Sequence, residues 1–235
     1  MKVCYFLLQR SLNKIMDKKI IFLIAGIVIV LVLIVVFNKE VYKSPEECTH
    51  ILGEGKIGIT FLGDIELAKE YAQFLINSEP FSNFKEDFSF YQTGISECKI
   101  IDNNILFCYN KNSVKNAANC PTDYIVALSD SGNSRSSAYG NFISLNIKQP
   151  KSVLLHEFGH AFGNLADEYV PSSIPRGSRN CQKTCDKFII SEGCFGGCSK
   201  SDYFRSSSSS VMRTLSTSNY GELNLELLKN ELQKI

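Results

Sequence analysis

The chain has 235 residues, a formal net charge of +1 and a hydrophobic fraction of 44%. That length holds one ordinary domain with a short appendage. The near-neutral charge excludes the basic footprint of a nucleic-acid-binding protein and an acidic tail seeking a basic partner.

The first feature in chain order is Ile20 to Phe37, eighteen residues without a charged or strongly polar side chain. As a helix this block is long enough to cross most of a bilayer's hydrocarbon. A secretory signal would have a shorter apolar region followed by a small-residue cleavage site, which FNKEVYKSPEEC does not offer. Lys2, Arg10, Lys14, Lys18 and Lys19 precede the block, whereas Lys39 and Lys43 after it are mixed with Glu40, Glu46 and Glu47. The positive-inside bias therefore predicts a cytoplasmic segment 1–19, a transmembrane helix 20–37 and an extracytoplasmic remainder, the plan of a single-pass cell-membrane protein. Eight of the nine cysteines fall in that remainder (Cys48, Cys98, Cys108, Cys120, Cys181, Cys185, Cys194 and Cys198), with Cys4 on the cytoplasmic side. An even number in an oxidising compartment reads as disulfides.

Residues 38–55 read as a stem, and a folded domain is expected over 56–235. KIGITFLGD suits a buried strand ending at a Gly63-Asp64 turn, and Ile65 to Asn77 carries apolar residues at helical spacing. Phe88 to Tyr91 reads as a strand. Lys99–Ile101 and Ile105–Cys108 read as arms of a hairpin around Asp102-Asn103-Asn104, which sets Cys98 against Cys108. Tyr124 to Leu128 is a further strand, SDSGNSRSS a loop by composition, and Gly140 to Ile147 an exposed strand whose edge is open to an extended substrate. From Pro171 to about Ser210 no long apolar period appears, and a Cys-rich insert spans about 178–200. Gly221 to Ile235 reads as a C-terminal helix.

The chemistry concentrates in SVLLHEFGHAF, residues 152–162, with Pro150 as a helix-start signal and Gly163 as a stop signal. On a helix, residues four apart share a face about 6 Å apart along the axis, so His156 and His160 can reach one metal ion with Glu157 beside them. Zinc binds imidazole well, keeps a position open for water when three protein ligands hold it, and lowers that water's pKa to about 7. A carboxylate next to the first His can then act as general base, the role that H-E-x-x-H implies. The bland alternative is a pair of core histidines, costly on an apolar helix without a metal to organise them.

A third ligand must come from elsewhere, and Asp167 and Glu168 are the nearest oxygen donors. On a straight helix Asp167 would lie about 16 Å from His156, so the chain must turn. Gly163 is expected to permit the reversal because it tolerates positive φ. Asp167 is preferred as the ligand, and Glu168 remains open, as does a purely supporting role for the acidic pair.

HEFGHAFGNLADEY resembles the zinc motif of the IgA-peptidase-type metallopeptidases, extracytoplasmic zincins related in plan to the metzincins. KIGITFLGD with the following helix, EPFSNFKEDF and FRSSSSSVMRTL resemble other segments of that family, so the likeness covers about Lys56 to Leu215. The resemblance implies His156 and His160 as ligands, Glu157 as catalytic base, an acidic third ligand, Zn2+ as the cofactor and an α/β zincin fold with a mixed twisted sheet and an active-site helix. The metzincin spacing puts the third ligand six residues after the second His. Here that position is Ala166, and the acid comes one later, at Asp167. Met212 reads either as a turn beneath the metal or as core filling.

The cysteines of the insert read as nested bridges, Cys181 to Cys198 and Cys185 to Cys194, or as a structural zinc site. Tyr169, Tyr203, Tyr220 and Arg213 are candidates for polarising a substrate carbonyl, and His50 reads as an exposed stem residue. The expected partners are a protein or peptide substrate and, through the N-terminal helix, a membrane. A tethered binding module with structural zinc and an amidase acting on cell-wall material are the alternatives.

Overall fold

The computed structural model describes residues 47–188 and 192–235, together with Leu23. The expected cytoplasmic segment and, Leu23 apart, the apolar block 20–37 lie outside the described residues, among which no helix is long and apolar enough to cross a membrane. In chain order the elements are β1 (Thr49–Leu52), β2 (Ile57–Leu62), α1 (Ile65–Asn77), β3 (Phe88–Gln92), β4 (Lys99–Ile101), β5 (Ile105–Phe107) and α2 (Lys111–Ala117). There follow β6 (Tyr124–Ser129), β7 (Ser137–Tyr139), β8 (Phe142–Asn146), α3 (Ser152–Gly163), β9 (Phe195–Cys198), β10 (Lys200–Arg205) and α4 (Glu222–Leu232).

Six strands form one mixed sheet in the order β1-β3-β2-β6-β8-β7. The four inner strands are parallel, and β1 and β7 run antiparallel at the two edges. Alternation along the inner strands divides their side chains between two apolar layers, as period-two geometry requires. Ile57, Ile59, Phe61, Val126, Leu128, Ile143 and Leu145 face the large core shared with α1, α3 and α4. Leu62, Ile125, Ala127 and Phe142 face a smaller one with Leu106, Cys108 and Ala117. Helix α1 starts where Asp64 accepts hydrogen bonds from the backbone of Glu66 and Leu67, an N-cap that satisfies two otherwise orphaned donors.

The expected strands 57–62 and 88–91, the 99–107 hairpin and the helices at 65–77 and 222–232 are all present, and Asn103 and Asn104 turn the hairpin with φ of 60° each. Three expectations are corrected. Thr49–Leu52 is not stem: it pairs antiparallel with β3, and Cys48 is bonded to Cys120, so the folded unit begins ahead of Lys56. The strand expected to be exposed at 140–147 is β8, buried at all its positions and flanked on both sides. The edge belongs to β7, which starts at Ser137, the last residue of the segment whose composition reads as loop, because Gly140 (φ 59°) turns the chain back into a hairpin there.

Among its described residues the 171–210 region is irregular apart from a 3-10 turn at Cys185–Lys187 and the hairpin of β9 and β10, and it is held by two nested bridges, Cys181–Cys198 and Cys185–Cys194. Cys98–Cys108 closes the base of the β4–β5 hairpin as expected.

Candidate metal centre

Helix α3 is the element on which the site is built. Nine of its twelve residues are buried, from Ser152 to Gly159 and again at Phe162, because it lies in the main core against the sheet with α1 and α4 nearby. Phe158 and Phe162, four residues apart, stack on each other and meet Phe81 and Tyr124, which fixes the rotation of the helix. That rotation turns His156, Glu157 and His160 toward a cavity of about 570 Å³ that opens to solvent.

The helix ends in an αL motif with one further, wider backbone bond. The Asn164 N–H donates to His160 O and the Leu165 N–H to Gly159 O, and the residue in the left-handed conformation is Asn164, with φ 49° and ψ 33°. The expectation that Gly163 makes the reversal is therefore corrected. Gly163 is required for packing, since a Cβ there would stand 2.5 Å from Leu228 Cδ2 of α4.

After this reversal Asp167 returns to the histidines. Its Oδ1 lies 3.1 Å from His156 Nε2 and 3.2 Å from His160 Nε2, and the two Nε2 atoms are 3.2 Å apart. The opposite nitrogens are committed elsewhere: His156 Nδ1 donates to Val211 O at 2.8 Å and His160 Nδ1 to Leu165 O at 2.6 Å. Both Nε2 lone pairs are thus aimed at the same point as the carboxylate, the arrangement that a backbone carbonyl behind each imidazole produces in metal sites. Ser172 Oγ donates to Asp167 Oδ2 at 2.6 Å and holds the carboxylate in orientation, whereas the buried Oδ1 makes no hydrogen bond. A buried, unsatisfied carboxylate oxygen pointing between two imidazole nitrogens is what a metal ligand looks like before its ion. His156, His160 and Asp167 together could hold a metal ion.

Glu168, the rejected neighbour, is 1% exposed and does not face the cluster. Its Oε1 accepts from Asn180 Nδ2 (3.2 Å) and Asn224 Nδ2 (2.9 Å), its Oε2 from Ser210 Oγ, and its N–H donates to Met212 O. Glu168 thus ties the irregular segment that carries Asp167 to the Cys-rich loop, the Ser-rich loop and α4. Asn180 adds a two-point bracket to the backbone of Ala166, accepting from its N–H at 2.8 Å and donating to its C=O at 2.9 Å.

Met212 lies in a tight turn in which Arg213 and Thr214 N–H both donate to Ser210 O. It is fully buried beside α3, and a Cβ on Gly159 would meet its Sδ at 2.7 Å. The turn therefore underlies the histidine helix and, through Val211 O, positions His156 directly.

Electrostatics couple these groups. Burial opposes charge on His160, but Asp167 and Glu157 outweigh it and raise its pKa to about 9. His156 is also raised, again against burial, by Asp167 and Glu157. Burial would raise the Asp167 pKa, but both imidazoles and Ser172 overcome it and hold the carboxyl well below the usual range. Burial pushes Glu157 up, with the histidines and Arg135 pulling the other way. Tyr169 is pushed up to about 12 by burial and by Asp167.

Of the four groups considered as carbonyl-polarising, Tyr169 and Arg213 line the cavity. Tyr169 also lies parallel to the His156 ring, with centroids 6.5 Å apart. Tyr220 is buried in the core and donates to Leu155 O, and Tyr203 packs beside the Cys181–Cys198 bridge; neither lines the cavity. His50 sits in β1 against Tyr91 and takes no part in the cluster. Arg135 lines the cavity and was not singled out from the sequence, because a lone Arg in a Ser-rich loop carries no local signal.

The geometry defines a mixed α/β protein with a partly buried His/His/Asp group that could hold a metal ion and that lines an open cavity. No protein-family model matches the chain, and no curated protein matches it.

Proposed function

We propose that the protein is a zinc-dependent metallopeptidase with a metzincin-like catalytic domain, akin to the IgA-peptidase-type enzymes its motif resembles. The observation that carries this reading is the convergence of His156 Nε2, His160 Nε2 and Asp167 Oδ1 beside Glu157 at an open cavity. Tetrahedral zinc with bonds of about 2.0–2.2 Å sets its ligand atoms about 3.3–3.5 Å apart, close to the observed separations. Three protein ligands leave a position free, and among the described residues no fourth His, Cys, Asp or Glu joins the group. That favours catalysis over a closed structural site.

Zinc bound here supplies Lewis-acid polarisation of the scissile carbonyl and acidifies an attacking water. Glu157, 6% exposed and opening onto the cavity, takes the proton from that water and delivers it to the departing amine. Burial raises its pKa, which strengthens it as a proton acceptor relative to an exposed carboxylate. Val211 O and Leu165 O keep both imidazoles in the tautomer that leaves Nε2 unprotonated. Edge strand β7, whose Ser137 and Ala138 line the cavity, offers the backbone against which an extended peptide aligns. Four disulfides favour an oxidising compartment. In this reading the 20–37 block anchors the enzyme to the cell membrane with its catalytic domain outside.

Glu157→Gln should keep zinc stoichiometry near that of the parent and lose on the order of 10²–10⁴ in turnover. Metal analysis of the purified protein, with a peptide-library digest run with and without chelator, measures both. Parent-level turnover in the variant, or turnover indifferent to chelation, refutes the reading.

A further inference from the structure

The charged groups lining the cavity are Glu157, Asp167, Arg135 and Arg213, besides the two imidazoles. Both carboxylates are committed in the proposed chemistry, one to moving protons and one to the ion. The two arginines are not. Among the described residues neither has a carboxylate within ion-pair distance.

The backbone of each is nevertheless held in place. The Arg135 N–H donates to Asn104 O and its C=O accepts from the Leu106 N–H, both at 2.8 Å, which fastens it to the β4–β5 hairpin that Cys98–Cys108 closes. The Arg213 N–H donates to Ser210 O at 3.0 Å within the Met212 turn, and its Nη1 donates to Ser208 O. The two cations therefore reach one cavity from separate, backbone-anchored segments, with both side chains exposed to an entering ligand.

Two guanidinium charges balance the two carboxylates, so a bound divalent ion leaves the lining with excess positive charge. The remaining polar lining, such as Ser136, Ser173 and Thr214, is neutral. A concave site of one sign concentrates ligands of the other, and guanidinium pairs with carboxylate through parallel hydrogen bonds.

Resting on the peptidase reading, we propose that Arg135 and Arg213 make the enzyme selective for a substrate carboxylate next to the cleaved bond. That carboxylate is either an acidic side chain or the peptide's own C-terminus.

The test uses the full-length zinc-loaded chain carrying Glu157→Gln, which binds without cutting. Labelled peptides matched except for Glu or Gln at each position flanking the bond, with free or amidated C-termini, are titrated by fluorescence anisotropy. The parent chain digests the same set. The acidic member should bind about tenfold tighter than its amide counterpart, a factor that shrinks in high salt. Adding Arg135→Gln or Arg213→Gln should bring the ratio toward one, whereas Arg213→Lys should keep part of it, which separates lost charge from a damaged fold. Preference carried by the side-chain pair or by the terminal pair identifies the carboxylate. Equal affinities, or a preference that survives removal of both arginines, overturn the inference. Digestion blind to charge sinks the specificity alone, but a set neither bound nor cut sinks the peptidase reading and the specificity with it.

Discussion

At the residue scale the site is a competition between protons and a cation for the same lone pairs. While no ion is bound, His160, raised to about 9, is protonated near neutrality, and His156 is shifted in the same direction, because Asp167 and Glu157 favour the charged imidazole against the opposing effect of burial. These protons must leave when an ion binds, so metal affinity should rise with pH until about pH 9 and level off beyond it. The sign for folding runs the opposite way without metal. A histidine whose folded pKa is raised stabilises the fold fully below its ordinary value of about 6.5 and loses that contribution as pH climbs through about 9. The melting-temperature gap between zinc-loaded and chelated protein should therefore widen between pH 6 and pH 9. A gap that is constant or narrows over that range contradicts the assignment of His156, His160 and Asp167 as one coupled group.

Two members of this group were readable in the sequence because a four-residue helical spacing is local: SVLLHEFGHAF specifies the helix, and the helix specifies that both imidazoles share a face. The third was readable only as a choice between adjacent acids. That choice is made by Asn180, Ser210 and Asn224, which claim Glu168 from three distant parts of the chain and leave Asp167 for the cluster. Arg135 was invisible for a similar reason, since its place at the cavity follows from a bridge to β5 that no local pattern announces.

At the scale of elements, α3 packs so closely against Met212, Tyr220 and α4 that a Cβ at Gly159 or Gly163 would force a neighbouring side chain to shift. Gly163→Ala would place a methyl group 2.5 Å from Leu228 Cδ2. The variant should lose about 1–3 kcal/mol of stability, measured by denaturant titration, because α3 and α4 must separate or Leu228 must leave its rotamer. A neutral or stabilising result would mean that α4 does not pack here as described. The long buried strands and the amphipathic α1 were legible because period and burial agree over many residues. The short edge elements were not. β1 carries no alternation that separates it from a stem, and β7 is three residues of a Ser-rich stretch. Helix α2 went unseen because KNSVKNA buries little, its start being marked by Asn110, which accepts from the Asn112 and Ser113 N–H groups.

At the scale of the whole molecule the four bridges divide the labour. Cys48–Cys120 joins residues 72 apart, tying the entry of β1 to the loop before β6. In the chain-entropy account a loop of that length contributes about 4 kcal/mol. Cys181–Cys198 closes a much shorter loop, but next to it Asn180 brackets Ala166, and Ser199 Oγ donates to the Asp167 carbonyl at 2.6 Å. Replacing the first pair by Ser should lower global stability by roughly that 4 kcal/mol and leave zinc affinity almost unchanged. Replacing the second should weaken zinc binding about 10–100-fold with a smaller loss of stability. Chemical denaturation beside competitive zinc titration of both variants distinguishes the two roles, and equal losses in affinity would contradict them.

The tether at Asn180 gives the protein an order of maturation. The paired imidazoles arrive with one helix, as soon as the chain coils, whereas the acid that completes their grip hangs from a loop that only oxidation closes. Under the proposed reading, a chain whose Cys181–Cys198 bridge is still reduced should grip an ion less firmly than the bridged one.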